Sequence, residues 1–93
     1  MIIAVDYDDT LQIGDEMNIA LINKLKHRQR CGDTVILWTC REGQSLIQAV
    51  RQLYETGFAP NIVNDNAPEI VRRLGRNPRK VYADVYIDDK AVR

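Results

Sequence analysis

The chain has 93 residues, 45% of them hydrophobic, and its thirteen basic and thirteen acidic side chains cancel to a net charge of zero. That length supports one small domain, 1–93, and the balanced charge gives no bulk attraction to nucleic acid, to a membrane surface or to a strongly acidic partner. Cys31 and Cys40 are too few for a disulfide framework and stand in no zinc-type spacing, the apolar runs fall far short of a membrane span, and the N-terminus lacks a signal-peptide pattern, so a reduced, cytoplasmic protein is expected.

The first predicted element is the β-branched run Ile2-Ile3-Ala4-Val5, which reads as a parallel strand buried on both faces and runs directly into Asp6-Tyr7-Asp8-Asp9-Thr10. Met17, Leu21, Ile22 and Leu25 then share one helical face, closed at Cys31-Gly32. His27 belongs to that helix beside Lys24, Lys26, Arg28 and Arg30, the composition of a solvated face. Val35 to Trp38 is the second strand, with Trp38 expected in the core, and it ends in Thr39-Cys40-Arg41. Leu46, Ile47, Val50, Leu53 and Tyr54 mark a second helix, closed by Gly57, and Ile62-Val63 a short strand between Asn61 and Asn64. A third, shorter helix is expected from Asn66 as its cap, with Pro68 in the first turn and Gly75 at its end. The last strand, Val81 to Ile87, is interrupted by Asp84 and ends in Asp88-Asp89, with Tyr82 and Tyr86 expected to pack on the sheet.

The order βαβαβαβ implies a parallel sheet with helices on its faces and a ligand site outside the carboxyl ends of the strands. With the first strand central and flanked by the second and the last, three polar clusters meet at one edge. Asp6, Asp8 and Asp9 would repel one another there unless a cation or hydrogen bonds intervened. Asp6 and Asp88 suit a hard divalent cation, for which Mg²⁺ is the natural choice because it takes one or two carboxylates together with phosphate oxygens. One of Asp6 and Asp8 is then placed to attack and the other to handle a proton, while Thr39 and a lysine bind phosphoryl oxygens. Arg41 has two readings, a clamp on a substrate phosphate or a partner of Glu42 or a nearby acid. Cys40 stands close by, but tyrosine-phosphatase chemistry would need an arginine six residues on, where Leu46 stands.

Asp6-x-Asp8-x-Thr10 after an apolar strand, Thr39 at the end of the next, and Asp88-Asp89 at the end of a late strand resemble motifs one, two and four of the haloacid dehalogenase superfamily. Ile36-Leu37-Trp38-Thr39-Cys40-Arg41-Glu42-Gly43 with Tyr86-Ile87-Asp88-Asp89-Lys90 resembles, more narrowly, a group of very small members of phage and bacterial type. The resemblance implies a three-layer α/β/α Rossmann-like fold, minimal and capless, and a Mg²⁺-dependent phosphatase working through an aspartyl-phosphate. It makes Asp6 the nucleophile, Asp8 the acid/base, Thr39 a phosphate ligand, and Asp6, the Asp8 main-chain carbonyl and Asp88 the magnesium ligands. The superfamily's third motif is a single lysine or arginine; Lys80 is the choice here, with Arg79 the competitor and Arg72, Arg73 and Arg76 also open.

Two departures from the superfamily pattern carry expectations of their own. Its sheet normally continues past the fourth motif, whereas Arg93 follows Asp89 by four residues, which implies either a C-terminally truncated chain or a second copy covering the open sheet edge. Asp9 stands where many members carry glycine, either as an outer contact to the cation, together with Asp89, or as a solvated loop carboxylate. The segments from Thr10 to Met17 and from Thr39 to Ile62 are too short for a cap domain, so the site is expected to be open to phosphorylated substrates of unspecified size. A non-catalytic Mg²⁺- and phosphate-binding module is the alternative. A phospho-receiver fits the motif order less well, since its acid pair ends the first strand and its phosphorylated aspartate the third.

Overall fold

The computed structural model describes residues 1–89. In chain order its elements are β1 (Ile2–Val5), β2 (Gln12–Ile13), β3 (Glu16–Met17), α1 (Ile19–Arg30), β4 (Thr34–Leu37), α2 (Gly43–Glu55), β5 (Ile62–Val63), α3 (Pro68–Leu74) and β6 (Val85–Ile87). β1 is buried at all four positions because it is the centre of a parallel sheet of order β5-β4-β1-β6. Ile2 faces Thr34 and Val5 faces Leu37 on one side, and Ile3 faces Val85 on the other. The fold is thus α/β, a four-stranded parallel sheet with three helices.

Strand alternation divides the core. Ile3, Val5, Val35 and Leu37 pack with Ile22 and Leu25 of α1 and Ala49 and Leu53 of α2. Ile2, Ala4 and Ile36 pack with Ile70 of α3 and with Val81 and Ala83. The second cluster is the smaller, and part of it comes from irregular chain. Among the described residues no helix is long and apolar enough to cross a membrane.

Three local expectations are corrected. Met17 belongs to a strand, not to the first helix: β2 and β3 form a hairpin with Gln12 opposite Met17, turning at Gly14, whose φ of 61° suits a tight hairpin turn. The helix begins after Asn18, whose Oδ1 accepts the Leu21 N–H at 3.3 Å. The last strand is shorter than the pattern from Val81 suggests, because Asp84 ends the ladder: its Oδ2 accepts the Ile2 N–H at 2.7 Å while its own N–H donates to the Ile2 carbonyl at 2.8 Å. Tyr82 therefore lies outside the sheet, 42% exposed, and donates its hydroxyl to Asp84 Oδ1 at 3.0 Å. Asn66 is no helix cap. Ala67 takes that position, and the buried Asn66 side chain spends its amide on the loop before β6.

Hydrogen bonds hold two of these carboxyls below the ordinary aspartate range: Asp84 chiefly through the Ile2 N–H and then the Tyr82 hydroxyl, Asp65 chiefly through the Asn77 side chain and then the Asn66 N–H. A depressed folded pKa gives stability that is present above the unfolded value of about 3.9 and is lost as pH falls through the folded one. Urea unfolding between pH 7 and pH 2 is expected to show stability falling in the acid limb, and Asp84→Asn is expected to flatten that slope.

Candidate functional site

β1 ends at Val5, where two hydrogen bonds fix the exit. Trp38 N–H donates to the Val5 carbonyl at 2.9 Å, and Asp6 N–H donates to the Ile87 carbonyl at 3.0 Å. The ends of β4, β1 and β6 are thereby drawn together, and a cavity of about 260 Å³ lies among Asp6, Trp38, Thr39, Cys40 and Asp88. Of the larger hollows, one of about 620 Å³ lies between α1 and β6 and one of about 370 Å³ between α2 and β5. Neither is lined by a carboxylate; the acidic side chains line the small cavity and the hollow of about 340 Å³ next to it, which share Asp88.

Asp6 is half-buried. Burial pushes its carboxyl above the ordinary aspartate range, the Tyr7 N–H on its Oδ1 at 2.7 Å pulls it back, and the carboxylates of Asp8, Asp89 and Asp88 raise it further. The predicted acids therefore meet electrostatically at one sheet edge. Among the described residues, no three His, Cys, Asp or Glu side chains enclose a metal position on their own.

The loop that follows is built on the Tyr7 carbonyl, which accepts the N–H groups of Thr10, Leu11 and Gln12 at 3.3, 2.9 and 3.0 Å. Asp9 crosses it at φ 60°, a left-handed conformation that explains glycine as the relaxed residue there and that aspartate tolerates better than most. Asp9 is exposed and lines, with Thr10, Asp88 and Asp89, a neighbouring hollow of about 340 Å³. Tyr7 points into the core, fully buried, and its hydroxyl donates to Gln52 Oε1 of α2.

Arg41 takes the second of its two readings, with Asp8 rather than Glu42 as the partner. Its Nη2 donates to Asp8 Oδ1 at 2.8 Å and its Nε to Oδ2 at 3.0 Å, while its guanidinium carbon sits 4.7 Å above the centre of the Tyr7 ring. The guanidinium holds the Asp8 carboxyl below the usual range. Because the Asp8 side chain is 52% exposed, the pair adds little to stability. Arg41→Ala is expected to change unfolding free energy by less than about 1 kcal/mol, yet to move the Asp8 titration up toward an ordinary aspartate, as followed by carboxyl-carbon NMR.

Thr39 is positioned by a residue the sequence reading did not assign. Asn64, at φ 52°, accepts the Thr39 N–H on Oδ1 at 2.8 Å and donates its own N–H to the Leu37 carbonyl at 2.8 Å. Thr39 Oγ1 accepts the Arg41 N–H at 3.1 Å, which leaves the hydroxyl proton able to donate into the cavity. An asparagine directly after a short strand is the signal that was available, since asparagine tolerates the left-handed turn and bonds neighbouring backbone.

Lys80 is not among the residues around the Asp6 cavity; its side chain is exposed, and its carbonyl accepts from Asn66 Nδ2 at 3.2 Å. Arg79, Arg72, Arg73 and Arg76 are likewise exposed. Lys90 lies outside the described residues. Trp38, expected in the core, is 43% exposed: the buried strand stops at Leu37, and the indole stands at the cavity instead.

No protein-family model and no curated protein matches the chain. Among solved structures, a conserved protein from Bacteroides thetaiotaomicron superposes with a TM-score of 0.78 and 35% sequence identity, over 98% of this chain and 77% of that one. At that identity over nearly its whole length, the chain belongs to the family of this conserved Bacteroides thetaiotaomicron protein.

Proposed function

We propose that the chain is a Mg²⁺-dependent phosphomonoester hydrolase of haloacid dehalogenase type, a capless three-layer α/β/α enzyme of the cytoplasm that works through an aspartyl-phosphate on Asp6. The observation that carries this reading is the meeting of Asp6, Thr39 and Asp88, from three different strand ends, around one cavity. The two free, exposed cysteines agree with a reducing compartment.

The donor set fits a hard cation. Asp6 and Asp88 would supply carboxylates and Asp8 a main-chain carbonyl, and a bound cation would relieve both the burial of the Asp6 charge, which chiefly raises its pKa, and the crowding of carboxylates that adds to it. Bound there, Mg²⁺ would favour ionised Asp6 and offset charge on the phosphoryl oxygens.

An Asp6 carboxylate oxygen attacks phosphorus. The ester P–O bond breaks, and the leaving alcohol oxygen takes its electron pair and a proton from Asp8. In the second half, Asp8 takes a proton from water, the water oxygen attacks phosphorus, and the bond to Asp6 breaks to release phosphate. At rest Arg41 keeps Asp8 ionised, so the first half requires the guanidinium to leave it. A substrate phosphate is a competing bidentate acceptor for Arg41, which joins the two readings of that residue. Thr39 donates its hydroxyl to a phosphoryl oxygen; Lys80, which does not line the cavity, keeps the third-motif role on the resemblance alone.

The test is phosphate release from an aryl phosphate with Mg²⁺ and with a chelator, combined with acid quenching and mass spectrometry. Metal-dependent release with phosphate recovered on Asp6 is expected. Release that ignores the chelator, or with phosphate on no aspartate, would overturn the reading.

A further inference from the structure

We infer that Trp38 is a stacking platform, and that the substrate is a monophosphate ester whose alcohol carries a flat aromatic ring. The inference rests on the hydrolase reading for the place of the phosphate, and adds the chemistry of the group attached to it.

Trp38 is the chain's single tryptophan, and it is 43% exposed directly beside Leu37, which is fully buried. Leaving indole surface in water forfeits about 25 cal/mol per Å² of burial, and the position is not a loose one. The Trp38 N–H is fixed to the Val5 carbonyl at 2.9 Å, and the indole leans on Tyr86 with ring centroids 5.7 Å apart and planes at 59°. Tyr86 is itself anchored, its hydroxyl donating to the Val81 carbonyl at 2.6 Å and accepting the Ala83 N–H at 3.0 Å. A large apolar side chain braced by a second ring, and exposed at a cavity it shares with Asp6 and Thr39, offers a surface that the described residues leave uncovered.

Size and charge narrow what can use it. At about 260 Å³ the cavity is smaller than the roughly 300 Å³ at which ordinary ligand pockets begin. It therefore suits a phosphoryl group, with the remainder of the ester lying outside. Because Trp38 and Thr39 line the same cavity, a ring carried by that ester has the indole as its neighbouring apolar surface. Asp6 and Asp88 in the same lining disfavour additional anionic groups, so a monophosphate with a neutral ring suits the site better than a di- or triphosphate or a sugar bisphosphate. Two sources share this chemistry, a nucleoside monophosphate and a simple aryl phosphate.

Because there is one tryptophan, stacking is readable without turnover. With Mg²⁺ present, the Asp8→Asn variant, which keeps the Asp6 and Asp88 carboxylates, is titrated with adenosine 5′-monophosphate, phenyl phosphate and ribose 5-phosphate while indole fluorescence is followed. Base stacking of about 1 to 3 kcal/mol predicts saturable quenching by the ringed esters and binding of ribose 5-phosphate weaker by roughly fivefold to a hundredfold. The stronger of the two ringed ligands identifies the source. In the intact enzyme, Trp38→Leu is expected to collapse the kcat/KM preference for ringed over ringless esters to within about twofold, and Trp38→Phe to retain most of it; circular dichroism checks that both variants fold. Equal affinity for ribose 5-phosphate, or a preference that survives Trp38→Leu, overturns the stacking platform. The two readings separate cleanly. Quenching without phosphate release keeps the platform and overturns the hydrolase, whereas release without ring preference does the reverse.

Discussion

Asp6→Asn is expected to raise the melting temperature of the metal-free protein while lowering phosphate release by about a thousandfold or more. The first half follows from the sign of the Asp6 shift. Burial and then the neighbouring carboxylates hold its folded pKa above the unfolded aspartate value, against the pull of the Tyr7 N–H. A raised folded pKa contributes stability that is fully present below the unfolded value of about 3.9 and is lost as pH rises through the folded one. At neutral pH the fold therefore carries an ionised Asp6 at a cost, because each neighbouring acid opposes it. Asparagine removes the charge and keeps the oxygen that accepts the Tyr7 N–H at 2.7 Å. The second half follows from chemistry, since an amide oxygen is too poor a nucleophile to form the acyl phosphate. Thermal unfolding in chelator and in Mg²⁺ separates the two halves. Intact protein should gain stability from the metal, and Asp6→Asn should start higher and gain little. An Asp6→Asn protein that melts below the intact one in chelator would make Asp6 a structural residue and remove the main support for the proposed mechanism.

The parts of the fold legible in the sequence were those written by continuous apolar runs. β1 and β4 are buried on both faces, so a run such as Ile2-Ile3-Ala4-Val5 announces itself, and the acids it delivers to the sheet edge follow from where it stops. The sheet order with β1 central made Asp6, Thr39 and Asp88 neighbours, which is why three motifs far apart in the chain were readable as one site. What was not legible depended on single side chains acting on backbone. Asp84 replaces a strand rung with its carboxylate and so shortens β6, the hairpin turning at Gly14 takes Met17 out of the first helix, and Asn64 and Asn66 bond backbone far away in sequence. Trp38 was misread for a related reason. Its neighbours Val35, Ile36 and Leu37 form a buried run, and no composition rule says that the run ends one residue before the indole. A basic residue has the least pattern of all, and Lys80 rests on the resemblance alone.

Asn66→Ala is expected to cost about 3 kcal/mol, the largest loss from any single polar side chain of the described residues. Asn66 is 5% exposed. Its two amide hydrogens serve three acceptors, Asn77 Oδ1 and the carbonyls of Pro78 and Lys80, at 3.1, 3.1 and 3.2 Å, and its Oδ1 accepts the Tyr82 N–H at 2.7 Å. One side chain thus ties the start of α3 to the irregular segment before β6. That segment delivers Val81 and Ala83 to the smaller of the two core clusters, so losing the tie exposes apolar surface as well as orphaning backbone groups. For a chain of 93 residues, such a loss should lower the melting temperature by more than about 10 °C. Asn66→Asp apportions the effect, because a carboxylate still accepts from Tyr82 but donates to none of the three acceptors and brings a buried charge; it should be at least as damaging as alanine. Urea unfolding gives the measurement. A cost below about 1 kcal/mol for Asn66→Ala would mean that water satisfies these groups and that the segment before β6 is held by Val81 and Ala83 alone.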